Sequence, residues 1–164
     1  MKGLACVALL TSVWLGCAQS RSRVLPEDGE DIRRYHRIGI PAFTDKQGKG
    51  PQIADQLSSA LQTKLYNDPV ERMPLEQILS RFNLKNDNGL GVEALEEIHS
   101  KTSADAVVFG RMAPDWSSAR VTVIETEMGS PVLRAVVMPK GRKKAFASPE
   151  EIAEEIARTF IRGR

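Results

Sequence analysis

The apolar residues of this 164-residue chain follow two spacings, which predict where strands and helices alternate. Alternation over 36–43 predicts a first strand, which leaves its sheet at Pro41 because proline has no N–H to donate. An apolar stripe at helical spacing predicts a helix over 51–68. The same two patterns then predict a short strand at 70–73, helices at 75–84 and 92–103, strands at 105–112, 119–127 and 132–138, and a helix beginning at Pro149.

The last helix has the clearest start signal of the chain. Ser148 suits the N-cap, Pro149 the first helical position and Glu151 the reciprocal capping position. Earlier in the chain, helices long enough to cover a sheet separate the strands, and a hairpin over 119–138 comes late. This order predicts a single α/β (α+β) domain, with a mixed sheet of about five strands and three to four packed helices.

The N-terminus differs from the rest of the chain. After a short positive start come thirteen uncharged residues, Gly3 to Leu15, a length typical of a secretory leader and too short for a membrane-spanning helix. The run ends in Gly16-Cys17, which resembles the bacterial lipoprotein signal, although Trp14 stands where leucine is usual. On this interpretation Cys17 becomes the N-terminus and carries acyl chains such as palmitate. The alternative is an ordinary leader cut near Ala18.

The leader divides the chain into three predicted parts. These are a signal peptide at 1–16, a lipidated Cys17 with a flexible tether at 17–34, and a folded domain at 35–164. The tether is predicted because polar, charged and turn-forming residues dominate it without a sustained period. Ala18 rather than aspartate follows the cysteine, and in enteric bacteria this resemblance implies an outer-membrane lipoprotein whose domain faces the periplasm.

Composition narrows the classes of function. The chain has 23 Lys+Arg and 21 Asp+Glu, and a net charge of +2 does not favour a nucleic-acid binder. Hydrophobic residues at 41% and charged residues at 27% are typical of a globular domain. Cys6 and Cys17 both precede the predicted domain, so we expect no disulfide, cysteine metal cluster or cysteine nucleophile within it.

Several segments together resemble a known envelope domain. A strand ending in Pro41-x-Phe43 precedes a helix with Ala-Asp-Gln-Leu at 54–57, and Ala-Asp-Ala-Val-Val-Phe-Gly-Arg follows at 104–111. Over about Ile38 to Met138 the chain resembles the periplasmic α/β domain shared by the curli secretion lipoprotein CsgG, the N-terminal domain of TolB, and LpoB, a lipoprotein activator of penicillin-binding proteins. The resemblance implies a non-enzymatic part in envelope assembly, secretion or regulation.

None of these three particular functions is expected to transfer. The chain leaves no room for the barrel segments of CsgG-type pores or for the propeller of TolB, and the predicted tether is short compared with that of LpoB-type activators. What the resemblance implies is therefore the shared domain and its general kind of role.

Few side chains of the predicted domain suggest catalysis or metal binding. The two histidines lack the spacing of metal ligands, and the paired serines lack the glycines of a nucleophile turn. Adjacent glutamates point about 100° apart on a helix, which favours solvated faces over an acid–base pair. The residues concerned are His36, His99, Ser58, Ser59, Ser117, Ser118, Glu96, Glu97, Glu154 and Glu155. We therefore predict that the protein is not an enzyme and that it has no catalytic residue, no metal site and no cofactor.

The most distinctive cluster is basic. Lys140, Arg142, Lys143 and Lys144 are candidates for contacting lipid headgroups or an acidic partner. The alternative is a solvated loop whose charge is balanced by the acidic start of the next helix. Trp116, near the hairpin, is interpreted as a packing residue rather than a ligand platform.

Two hypotheses from different classes follow. In the first, the protein is held at the membrane by its lipid and its domain binds an unidentified envelope protein. In the second, the domain binds a small ligand, a glycan or a lipid. A protein adduct formed by crosslinking in cells would favour the first hypothesis, and a co-purifying saccharide or lipid without an adduct would favour the second.

Overall fold

The computed structural model describes residues 23–24, 31–85, 87 and 90–162. The predicted signal peptide, Cys17 and most of the predicted tether lie outside them. The described strands are β1 (Arg23–Val24), β2 (Arg37–Gly39), β3 (Asp68–Pro69), β4 (Ala106–Met112), β5 (Ala119–Glu125) and β6 (Pro131–Val137). The described helices are α1 (Gly50–Leu65), α2 (Arg72–Arg81), α3 (Val92–Thr102) and α4 (Pro149–Arg162), with a 3-10 turn at Ile32–Arg34.

The strands form one mixed sheet in the order β1-β6-β5-β4-β2-β3. β2 runs parallel to both β3 and β4, and these pairs are connected through helices, as parallel pairing requires. β4, β5 and β6 pair antiparallel through short turns. β2, β4 and β6 therefore point the same way, and the connections that follow them lie at one end of the sheet.

Helices cover the two faces of the sheet unequally. α1 and α4 bury one apolar stripe each, including Leu57 and Ile156, against the inward positions of the strands. α2 and α3 cover the other face, but the strand residues in their cluster are Val107, Phe109 and Ile124 from β4 and β5. On that second face, β6 and the neighbouring part of β5 are left without a described helix above them.

The predicted single α/β domain with a mixed sheet is confirmed, and the boundaries of most elements agree with the structure within a few residues. The short strand expected at 70–73 lies instead at Asp68–Pro69. α2 begins at Arg72, earlier than the expected residue 75, and its first turn accommodates Pro74, which has no N–H to leave without an acceptor. The first strand is also shorter than its alternation suggests, since regular pairing stops at Gly39.

Part of the predicted tether belongs to the fold. Arg23 and Val24 pair with β6, and the side chain of Ile32 is fully buried in the main core. Asp31 caps the following 3-10 turn by accepting from the N–H of Arg33. Within the described residues, folded structure therefore begins before the predicted boundary at residue 35, and the buried Ile32 belongs to a stretch, 31–34, whose other residues are charged.

The segments at 41–43 and 104–111, whose sequences resemble the envelope domain, contact each other at Gly110. A Cβ atom at this position would overlap the ring of Phe43, which is buried, so only glycine leaves the ring its place beside β4. The chain at Thr44 also forms a parallel bridge with Arg111. The glycine of the β4 segment and the phenylalanine after Pro41 are thus one packing unit.

We predict that Gly110→Ala lowers the free energy of unfolding by about 1–3 kcal/mol, because the added methyl group displaces the Phe43 ring from a packed site. Gly91→Ser is the matched control, since a Cβ atom there meets nothing within 4 Å and serine suits this N-cap position. Chemical denaturation of both variants measures the difference. Equal stability of the two variants would contradict the packing argument.

Candidate functional site

The predicted basic cluster lies in the connection between β6 and α4. Lys140, Arg142, Lys143 and Lys144 are all exposed. Within the part of the chain that the structure describes, Lys143 is the member with a carboxylate partner, Glu151, at 2.7 Å. The other three cations face solvent with no described carboxylate within ion-pair distance, so the acidic start of α4 does not balance the whole cluster.

Glu151 also fixes the shape of this connection. One of its carboxylate oxygens accepts from Lys143 Nζ at 2.7 Å, and the other accepts from the backbone N–H of Ala147 at 2.9 Å. The hydrogen bond from Lys143 holds the pKa of the Glu151 carboxyl below its ordinary value. The Ser148 hydroxyl in turn accepts from the N–H of Glu151, as the predicted cap requires.

Three connections at this end of the sheet are joined by one chain of hydrogen bonds. The indole N–H of Trp116 donates to Asp45 Oδ1 at 3.0 Å, and the other Asp45 oxygen accepts from the N–H of Lys49 at 2.8 Å. The Trp116 carbonyl oxygen accepts from the N–H of Phe146 at 3.0 Å. Trp116 is only 7% exposed, so the prediction that it packs is confirmed, and its φ of 57° marks a tight turn.

A second cationic feature lies on the uncovered face of the sheet. It is a groove of about 510 Å³ whose lining includes Arg111, Arg120 and Arg134 from three adjacent strands. Arg111 is directly opposite Arg120, and Arg134 is opposite Thr122 one pleat further along the same face. We call this surface the arginine groove.

The arginine groove combines positive charge with an apolar floor. Phe109, which is buried, and Val136, which is partly buried, line it beside the exposed arginines. Like charges directly opposite each other destabilise a strand pair. Asp87 also lines the groove, but among the described residues no carboxylate lies within ion-pair distance of Arg111 or Arg120, so an anionic group in the groove would relieve their repulsion.

Sequence reasoning missed this surface. The hydrophobic pattern places each arginine in a strand but does not link the three, because their proximity depends on strand register. The available signal was an arginine at an outward position of each central strand, with the hairpin register bringing Arg120 and Arg134 to one face.

The two histidines, which the sequence predicts not to bind a metal, each take part in a polar contact within the fold. His99 Nδ1 lies 3.1 Å from the Ala104 carbonyl oxygen, and His36 is exposed with its backbone N–H bonded to Asp105. No group of three or more potential metal ligands occurs within the described ranges.

The glutamates predicted as a solvated pair differ from each other. Glu154 pairs with Lys64 at the surface, but Glu155 is only 3% exposed and accepts from Arg158. The solvated interpretation is therefore wrong for Glu155, which the helix period turns toward the core.

No protein-family model matches the sequence, and no curated protein matches it. Solved structures do. The PelC dodecamer from Paraburkholderia phytofirmans is similar with a TM-score of 0.58 and 12% sequence identity, over 89% of this chain and 100% of that one. At this identity the similarity establishes a shared fold.

Lipoprotein domains are also among the similar structures. The LpoB C-terminal domain from Escherichia coli matches with a TM-score of 0.46 and 13% identity, over 66% of this chain and 87% of that one. Lipoprotein GNA1162 from Neisseria meningitidis matches with a TM-score of 0.47 and 12% identity, over 69% and 86%. None of the helices that the structure describes is sufficiently long and apolar to cross a membrane.

We predict that the Lys143–Glu151 contact makes stability fall in acid. Because the pKa of Glu151 is lower in the folded protein than in the unfolded chain, its contribution is present above the unfolded pKa of about 4.3 and is lost as pH falls through the folded value. Glu151→Gln should be less stable than the native protein at neutral pH, with the difference shrinking in acid. Lys143→Gln should behave alike, and denaturation curves across pH measure both; unchanged pH profiles would contradict the assignment.

Proposed function

We propose that this protein is a non-enzymatic lipoprotein of the bacterial outer membrane, anchored through Cys17, whose domain binds another envelope protein in assembly, secretion or regulation. The observation that carries the binding part is the arginine groove, a cationic sheet face that the described helices leave open. The anchoring part rests on the leader, which ends in Gly16-Cys17.

The groove has the chemistry of a protein-binding surface. Arginine and aromatic residues are enriched at such interfaces, and the planar guanidinium groups suit bidentate contacts with carboxylates. Arg111, Arg120 and Arg134 lie on rigid strands, so the site is largely formed before a partner arrives. An extended acidic segment placed along the strands would meet the arginines and the apolar floor together.

A second candidate function is binding of a small anionic ligand or an acidic glycan. A volume of about 510 Å³ lies within the ordinary size range of ligand pockets. The same arginines would hold carboxylate or phosphate groups of such a ligand. The two functions differ in what occupies the groove, and a crosslinking experiment separates them.

The anchor makes a direct prediction. Cys17→Ala should abolish incorporation of labelled palmitate and release the protein from the membrane fraction, because the acylated cysteine is the proposed attachment point. Cys6→Ala is the matched control, since that residue is lost with the leader and the label should remain. Labelling that persists in Cys17→Ala would refute the anchor.

The groove makes a second prediction. A photocrosslinking residue at Thr122 should give a defined protein adduct in cells, and Arg120→Ala should reduce that adduct severalfold because a groove cation is lost. Arg162→Ala, at the exposed end of α4, removes the same side chain elsewhere and should leave the adduct unchanged.

The adduct's mass identifies the partner class. A mass of two chains would indicate self-association, which is also the state of PelC in its dodecamer. Absence of any protein adduct, together with a co-purifying saccharide or small anion, would favour the second candidate function. Equal adducts from Arg120→Ala and Arg162→Ala would place the interface outside the groove.

A further inference from the structure

We propose that one end of the domain rests on the lipid headgroups of the membrane that holds the anchor. This end, which we call the cationic end, is formed by the connections that follow β2, β3, β4 and β6, at 40–49, 70–71, 113–118 and 138–148. The inference rests on the proposed anchor at Cys17. It adds an orientation to that anchor and assigns the ligand of the basic cluster.

The direction of β1 shows from which end of the sheet the chain enters the domain. β1 is antiparallel to β6, with Arg23 opposite Val136 and Val24 opposite Ala135. Moving backward along β1 therefore means moving forward along β6, toward its last residue, Val137. The chain enters β1 from the end of the sheet at which β6 finishes, which is the cationic end.

The short chain between Cys17 and β1 limits how far this end of the sheet can lie from the membrane. Cys17 precedes Arg23 by six residues. Six fully extended residues reach about 20 Å, and any bend shortens this distance. An acylated Cys17 therefore keeps the entry point of β1 within about 20 Å of the lipid surface, so the end that lies closest to the membrane is the one where β6 finishes.

The connecting loops give the two ends of the sheet different charges. The four connections at the cationic end contain six cations and three carboxylates, and all six cations are exposed. The cations are Lys46, Lys49, Lys140, Arg142, Lys143 and Lys144. The connections after α1, α3 and β5, at 66–67, 103–105 and 126–130, hold two carboxylates, Asp105 and Glu127, and no cation.

Two of the three carboxylates of the cationic end, Asp45 and Asp115, are engaged inside it, and the third is the exposed Glu71. Both oxygens of Asp45 accept hydrogen bonds, from the Trp116 indole and from the N–H of Lys49. Asp115 accepts from the N–H of Ser117. These bonds hold the loops in fixed positions while leaving the lysine and arginine head groups exposed. A rigid, net positive surface beside a lipid anchor matches the phosphate groups of a membrane.

The test uses the mature chain from residue 17 carrying Cys17→Ser, so that binding does not depend on acylation. It should sediment with phosphatidylcholine vesicles that contain phosphatidylglycerol and not with pure phosphatidylcholine vesicles, and added salt should weaken the binding. The triple variant Lys140→Gln, Arg142→Gln, Lys144→Gln should bind at least about tenfold more weakly. Because these residues are exposed, circular dichroism should show an unchanged fold.

A second triple variant, Lys64→Gln, Lys101→Gln, Arg162→Gln, makes the same charge change away from the cationic end and should bind within about twofold of the parent. Equal losses in the two triple variants, or no binding of the parent to anionic vesicles, would overturn the inference. Palmitate labelling of the native protein is scored separately. If vesicle binding is lost while palmitate labelling is intact, only the headgroup inference is contradicted. If the protein binds vesicles but is not labelled, only the proposed anchor at Cys17 is contradicted.

Discussion

Contacts near both ends of strand β4 position the segment 36–43, which contains β2. Before its first residue, Asp105 accepts hydrogen bonds from the backbone N–H groups of His36 and Arg37 at 2.9 and 2.8 Å. Near its last residue, Gly110 leaves the space that the buried Phe43 ring fills. β2 has only three residues, and these two contacts add to its pairing in fixing where the segment lies and from where α1 starts.

This arrangement also sorts the charges of the molecule. Because β2, β4 and β6 run in one direction, their following connections gather at one end, and those connections carry six exposed cations. The chain's small net charge of +2 conceals this separation. A near-neutral protein can still present a strongly positive surface, and the side of the sheet that α2 and α3 leave open adds the arginine groove beside it.

The order of elements was predictable because each long element carries its own local signal, as the Ser148 cap of α4 does. The misses have a common physical cause, which is that they depend on contacts distant in sequence. Ile32 and Glu155 are buried because the folded core lies beside them, which the local pattern does not reveal. Arg111 and Arg120 meet through strand register, which alternation alone does not specify.

The direction of β1 is the central claim, since it connects the anchor to the cationic end. Disulfide formation between paired cysteine substitutions tests it, because directly opposed residues on antiparallel strands lie within bonding range. Arg23→Cys with Val136→Cys should form a disulfide in the exported protein, whereas Arg23→Cys with Arg134→Cys should not. A disulfide with residue 134 and none with residue 136 would contradict the pairing on which the direction of β1 rests.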